Sequence, residues 1–381
     1  MARLRTDAAI VGVGQTEFSK NSGRSELQLA VEAARAAIAD AGLTPADIDG
    51  MVTFDSDAND ELAMIRSLGI PELRWVSRTI RGGMGSGSSV HQAAVAVTSG
   101  AVNNVLVFRA FNERSGRRFG QPMGASRNPA ANMYMPYGLD TPAKIYSLWF
   151  QRYMDTYNVT SEDFGRYTVA ARKYASTNPN AWFYNRPITI EDHQSSRWIV
   201  EPILRLLDCC QESDGGVALV VTTAERARDL DASGVRIAAV DTSHLDGGDI
   251  MYEYYRPDSA AYPEAGALGA HLFEAAGLTP DDIDVAMIYE NFSPFVFLQL
   301  EAYGFCGPGE AKDFIAEGNI DIDGRLPVNT NGGLLGEAYI HGVNLVIEAV
   351  RQVRGTAANQ VKDVEHAMMG VGRSGMILAR L

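Results

Sequence analysis

Residues 276–284 read AGLTPDDID, and residues 41–49 read AGLTPADID. Eight of nine letters agree across a separation of 235 positions. Each copy closes an Ala-rich amphipathic stretch, LQLAVEAARAAIAD at 27–40 and GALGAHLFEAA at 266–276. Gly42 and Gly277 stand where a helix ends on a left-handed glycine. Thr44-Pro45 and Thr279-Pro280 then read as an N-cap followed by a first-turn proline. The acids of ADID and DDID read as turn caps, and an apolar strand follows each time, GMVTF and VAMIYENF.

A second correspondence extends the first. Residues 81–108, RGGMGSGSSVHQAAVAVTSGAVNNVLVF, run as glycine loop, apolar helix and apolar strand. Residues 331–361, NGGLLGEAYIHGVNLVIEAVRQVRGTAANQV, repeat that order, with twin glycines at Gly82-Gly83 and Gly332-Gly333 lying 250 apart. The pattern predicts a tandem duplication of one α/β half, too few copies for a solenoid. Between the copies the text changes. From Phe111 to Trp198 the chain is rich in Arg, Tyr, Asn, Pro and Met, with one helix opened by Thr160-Ser161-Glu162-Asp163 and carrying Phe164, Tyr167, Ala171 and Tyr174 on one face. The expected division is therefore a first half over 1–110, an inserted loop domain over 111–198, completion of the first half over 199–234, and a second half over 235–381.

Bulk properties narrow the class. The 381 residues are 46% hydrophobic and carry a formal net charge of −14, which argues against a nucleic-acid binder held by phosphate contacts. No apolar run is long enough for a membrane span, and Met1–Phe18 lacks a secretory core and reads as a first strand. The three cysteines, Cys209, Cys210 and Cys306, fit neither a disulfide framework nor a zinc spacing. Cys209 and Cys210 read as packed structural thiols in a reduced, cytoplasmic protein. No histidine pair has metal-ligand spacing, so no metal is expected.

These parts together resemble the thiolase superfamily over essentially the whole chain, nearest its sterol-carrier-protein-X and lipid-transfer-like group. SDGG at 213–216, YENFSP at 289–294 and NTNGGLLGEAYIHG at 329–342 occupy the places of that group's signature blocks. The resemblance implies a five-layer αβαβα thiolase fold, duplicated, with an inserted loop domain. It also implies a homodimer and a small partner protein with an OB-fold and a zinc ribbon, forming a heterotetramer.

What is missing bears on the chemistry. A thiolase needs a cysteine in a glycine loop at a helix N-terminus, where the dipole favours the thiolate. Aligned with the family, GGMGSGS puts Met84 there, and a thioether cannot carry an acyl group. Ser86 and Ser88 lack a local base, and HAMMGVGRSGM at 366–376 offers only Met368 and Met369 where a second cysteine is expected. Two further catalytic positions align with Tyr289 and Tyr339. These departures resemble the thiolase-like aldolases of bacterial sterol side-chain degradation. The resemblance implies retro-aldol cleavage of a 17-hydroxy steroid bearing a C20-carboxyl-CoA side chain, giving a 17-keto steroid and propionyl-CoA without an acyl-enzyme. CoA would be part of the substrate, with no cofactor bound by the chain.

Tyr289 and Tyr339 are the expected acid–base pair, in undecided order. A phenol of reference pKa about 10 is a poor base at neutral pH, so it needs a relay. His341 and Glu290 are nearest by sequence. Met84, Gly332, Gly333, Gly372 and Ser374 are the expected substrate or CoA contacts. Blander readings stand beside these: packed tyrosines with satisfied hydroxyls, His341 as a structural hydrogen bonder, and Gly370, Gly372 and Ser374 as a tight turn. Arg114, Arg117 and Arg118 read equally as phosphate ligands and as a solvated loop face. Rival functions are a non-catalytic acyl-CoA or sterol-binding protein and an aldol-type subunit for a non-steroid acyl-CoA.

Overall fold

The computed structural model describes residues 7–79, 82–122, 129–230, 233–248, 251, 256–258 and 260–381. Its strands are β1 (Ala8–Gln15), β2 (Gly50–Phe54), β3 (Trp75–Thr79), β4 (Val105–Asn112), β5 (Trp198–Val200), β6 (Leu204–Arg205), β7 (Asp214–Thr223), β8 (Val235–Thr242), β9 (Val285–Ile288), β10 (His366–Gly370) and β11 (Ser374–Arg380). β5 and β6 pair only with each other; the other nine form one mixed sheet ordered β3-β2-β4-β7-β1-β8-β11-β10-β9.

That order is the duplication in three dimensions. β2–β4 and β9–β10 are parallel, whereas β4–β7 and β10–β11 are antiparallel. β1–β7 and β8–β11 are antiparallel as well. The counterpart of β3 shrinks to a single parallel bridge between Ala286 and Val328. The halves meet edge to edge at β1 and β8, through Ala9–Arg236 and Ile10–Val235.

The repeated nonapeptides do the same two jobs in each half. Gly42 and Gly277 take left-handed φ values of +68° and +71°, a conformation that costs glycine least. The Thr44 and Thr279 amides donate to Asp47 and Asp282 at 2.8 and 2.7 Å, closing equivalent caps. The final acid of each copy then ties down a strand. Asp49 accepts from the amides of Asn103 and Asn104 ahead of β4, and Asp284 from those of Glu365 and His366 at β10.

Five layers result. The helices Gly85–Thr98 and Val343–Arg354 pack against strands of both halves and form the shared middle layer. Glu26–Asp40 covers β1, β4 and β7 on one outside, and Pro263–Ala276 covers β8 and β11 on the other. β7 shows how the sequence serves two cores: Val217, Leu219 and Val221 face the middle layer, while Ala218 and Val220 face the Glu26–Asp40 side. Truncating a fully buried middle-layer residue such as Leu345 to alanine costs about 2–5 kcal/mol.

The segment between β4 and β7 packs elsewhere. Its helix Ser161–Thr177 opens with the Thr160–Asp163 capping box. Phe164, Tyr167, Ala171 and Tyr174 are buried as their spacing predicts, against the second half: Phe164 meets Phe297 edge-on at 5.1 Å, and the Tyr174 hydroxyl donates to the Ile320 carbonyl at 2.9 Å. An insertion in the first half thus completes the core of the second. Among the described residues no helix is long and apolar enough to cross a membrane.

Candidate active site

Two tyrosines converge where the halves meet. Tyr289 follows β9; its amide donates to the Gly370 carbonyl at 2.8 Å, and Gln299 Nε2 donates to its carbonyl at 2.8 Å. The preceding residue is clamped by Asn329 of the NTNGG segment, whose Oδ1 accepts from the Ile288 amide and whose Nδ2 donates to the Ile288 carbonyl, both at 2.8 Å. Tyr339 follows the helical turn Gly333–Gly336, and its amide donates to Ser213 Oγ of the SDGG segment at 3.2 Å. Three separate motifs therefore fix one pair of phenols, whose hydroxyls lie 2.8 Å apart.

Both rings are nearly out of solvent, at 8% and 7% exposure. Burial pushes each phenol well above its ordinary value, so both are neutral at physiological pH. Close packing holds Tyr289: a Cβ on Gly83 would overlap its hydroxyl, and one on Gly342 would crowd its ring. Gly83 adjoins Met84, the position of the thiolase nucleophile, so the Tyr289 hydroxyl lies against that loop. The backbone of Met84 lies in the turn Gly82–Met84, and its side chain lies outside the described residues. Ser86 donates to the Gly83 carbonyl at 3.1 Å, an internal loop contact rather than a nucleophile–base pair.

Neither relay expected from sequence touches the hydroxyl of Tyr289 or Tyr339 among the described contacts. His341 is 3% exposed with φ of +50°, and its Nδ1 accepts from Arg109 Nε at 3.1 Å. Arg109 in turn pairs with Asp57 at 2.8 Å. Burial, and then the guanidinium, hold the imidazole well below its usual pKa and hence neutral. The ring meets Tyr339 edge-on at 5.3 Å and packs among Phe54, Phe111 and Phe119, so its contact with the tyrosine is steric. Glu290 turns the other way: its Oε1 accepts from the Leu334 amide at 2.7 Å, and the carboxyl lies beside the Tyr167 hydroxyl. Burial pushes this carboxyl up to about 8. The side chain after a strand end points opposite to its predecessor, so Tyr289 and Glu290 diverge.

The glycine positions prove to be places of close approach. Gly332 (φ +103°) and Gly333 (φ +64°) donate their amides to the Asn329 carbonyl and to Asn331 Oδ1. A side chain on the first would strike Ala175, and on the second Glu290. The Gly372 amide donates to Gln299 Oε1 at 2.8 Å, and Ser374 lies buried against Gly87. These three amides are thus engaged within the chain, and Gly332, Gly333, Gly372 and Ser374 lie away from the cavity wall.

That wall surrounds about 420 Å³ and includes Tyr339, a volume suited to a small-molecule site. Apolar faces come from Phe119, Ile199, Phe292 and Leu335, and cations from Lys20, Arg114, Arg118, Arg172 and Arg197. Arg118 is already paired with Glu212 at 2.6 Å, while Arg117 is exposed and off the wall. Cys209 and Cys210 pack against the core as expected, and both also line the cavity. Burial raises both thiols far above the range of a reactive thiolate. Sequence reasoning missed Lys20 and Glu113, two lone charges with no motif around them.

Comparison with known proteins gives the family. Residues 253–379 match the family model described as Thiolase C-terminal domain-like. The chain is 54% identical to the steroid side-chain-cleaving aldolase of Thermomonospora curvata, over 99% of each chain. It is 52% identical to the 17-hydroxy-3-oxo-4-pregnene-20-carboxyl-CoA lyase of Mycobacterium tuberculosis, over 98% of this chain and 100% of that one. Among solved structures, an Ltp2-ChsH2(DUF35) aldolase superimposes with a TM-score of 0.94 at 53% identity, covering 99% of this chain and 98% of that chain.

Proposed function

Because the chain belongs to the thiolase-superfamily steroid side-chain-cleaving aldolases, we propose that it cleaves a 17-hydroxy steroid C20-carboxyl-CoA thioester by a retro-aldol reaction. The products are a 17-keto steroid and propionyl-CoA, and CoA enters only as part of the substrate. The observation that carries this reading is the pair of buried hydroxyls 2.8 Å apart beside a glycine loop that offers no cysteine.

The pair answers the difficulty of a phenol acting as a base. Neither tyrosine is ionised, yet two neutral hydroxyls in contact can each accept one proton while releasing another. Tyr339, on the cavity wall, takes the proton of the 17-hydroxyl as its own passes to Tyr289. The C17–C20 bond breaks, its electron pair moves into the thioester as an enolate, and C17 becomes the ketone. In the same step the Tyr289 hydroxyl releases its own proton to C20, so neither phenol gains charge and both end as neutral hydroxyls. Positioned proton transfer of this kind contributes about 10²–10⁴-fold in rate. His341 acts as a positioning residue, its ring held by Arg109 against the edge of Tyr339.

The chain is best divided as its sequence suggests, with the 111–198 insertion forming one side of the cavity. We also assign it a homodimeric core and a partner with an OB-fold and zinc ribbon in a heterotetramer. Support comes from the family resemblance and from the name of the superimposable aldolase, which joins two components. The test is turnover of the thioester by the chain purified with that partner, followed by mass spectrometry. Equal amounts of 17-ketone and propionyl-CoA are expected; tight binding without products would instead make this a binding protein.

A further inference from the structure

Glu113 follows β4 and is 2% exposed, yet it forms part of the cavity wall that carries Tyr339. The backbone amides of Ser213 and Phe119 lie close enough to its carboxyl group to act on its ionisation. Its Oε2 is buried with no hydrogen-bond partner among the described residues. Lys20, a wall cation whose charge acts on Glu113, is committed elsewhere, donating to Gln211 Oε1 at 3.0 Å and to the Glu212 carbonyl at 2.6 Å. Arg118 is held by Glu212. An ionised Glu113 would place an unpaired negative oxygen in a dry wall beside a second carboxylate, an arrangement that proteins avoid by keeping the proton.

The reaction needs something at this place that the tyrosines do not supply. Proton traffic occupies both phenols, while negative charge builds on the thioester oxygen. The amide of Gly372, one of the expected substrate contacts, is already donated to Gln299. We propose that Glu113 is a neutral acid whose carboxyl O–H donates a hydrogen bond to the substrate thioester oxygen as enolate charge develops on it. No bond to the proton breaks in this role; the hydrogen bond strengthens as charge develops. The inference rests on the retro-aldol reading above.

Burial, then the charge of Glu212, push the carboxyl up to about 9, against the lowering effect of two backbone amides and Lys20. The other titratable groups around it are Cys210 and Tyr339, both raised, and Lys20, lowered to about 8 with Arg114 nearby.

The test compares Glu113→Gln, which keeps a neutral donor, with Glu113→Ala, which removes it, in the complex with its partner. Glu113→Gln is expected to cost about tenfold in kcat and Glu113→Ala about 10²–10³-fold, with KM changed much less. Wild-type kcat should also fall as pH rises through about 9, and Glu113→Gln should lack that limb. Should alanine fail to fold, the pH profile of the glutamine variant decides alone. Glutamine as inactive as alanine, or a limb that persists in it, overturns the proposal; so does alanine within tenfold of wild type. A wild-type complex that makes no ketone would sink the retro-aldol reading itself, an outcome distinct from all of these.

Discussion

Replacing Tyr339 by phenylalanine removes one oxygen atom and leaves the ring among its neighbours. The lost contact is the 2.8 Å hydrogen bond to Tyr289, between groups 7% and 8% exposed. A typical hydrogen bond contributes about 1 kcal/mol net, and an orphaned buried partner costs about 1–3 kcal/mol. The fold should therefore survive with a modest loss of stability. The catalytic loss should be far larger, because Tyr289 alone is a phenol held well above its ordinary pKa and cannot act as a base. Removing both an acceptor and a donor from one relay should lower kcat about 10³–10⁴-fold, which is about 4–5.5 kcal/mol of barrier. KM should move little, since steroid and thioester are held elsewhere. Tyr289→Phe should cost about the same, and the double variant little more than either, because members of one relay fail as a unit. The assay is single-turnover formation of 17-ketone and propionyl-CoA, with urea unfolding as the check on folding. Retention of more than a tenth of wild-type kcat by Tyr339→Phe would refute the reasoning, as would single losses that multiply in the double variant.

Gly83→Ala leaves both phenols in place chemically but drives a methyl group into the Tyr289 hydroxyl. It should lower kcat about 10²-fold by misplacement alone, and near-normal turnover would show that Tyr289 need not sit there. Arg109→Met strips the partner from buried Asp57 and from His341. By urea unfolding it should destabilise the chain by about 3–5 kcal/mol, and a loss under 1 kcal/mol would mean that the ion pair is not closed off from water as described. Glu290 and Glu337 are raised by burial from 4.5 to about 8 and about 7. Between the ordinary and the raised values the folded state binds more protons than the unfolded chain. Their contribution is therefore complete below pH 4.5 and lost as pH climbs to about 8. Urea titrations at pH 5.5 and 8.5 should show that loss in wild type and a smaller one in Glu290→Gln; equal losses would contradict it.

The fold was legible because its repeat carries physics in every letter. Glycine ends the helix, threonine and the first aspartate close the cap, and the last aspartate holds the next strand. Loop, helix and strand then recur in the same order, so the two halves align in the sequence itself. Less visible was that the 111–198 insertion would complete the core of the other half, since that depends on contacts between Phe164 and Phe297, 133 positions apart. The tyrosine pair was reachable through its alignment with catalytic positions. The relay was not, because adjacency in sequence made Glu290 look close to Tyr289, whereas strand geometry sends it to Leu334 and Tyr167. Glu113 escaped notice for a related reason: a single acid after an apolar strand looks solvated until burial is known.

The claim that most separates this chain from a thiolase is cleavage without a covalent intermediate. Its most direct test is rapid quenching of the complex during turnover, with intact-mass measurement of the chain alongside the products. The account predicts that 17-ketone and propionyl-CoA appear together while the chain keeps its unmodified mass at every time point. A transient mass increase matching an acylated chain, rising before propionyl-CoA and decaying as propionyl-CoA forms, would contradict the account.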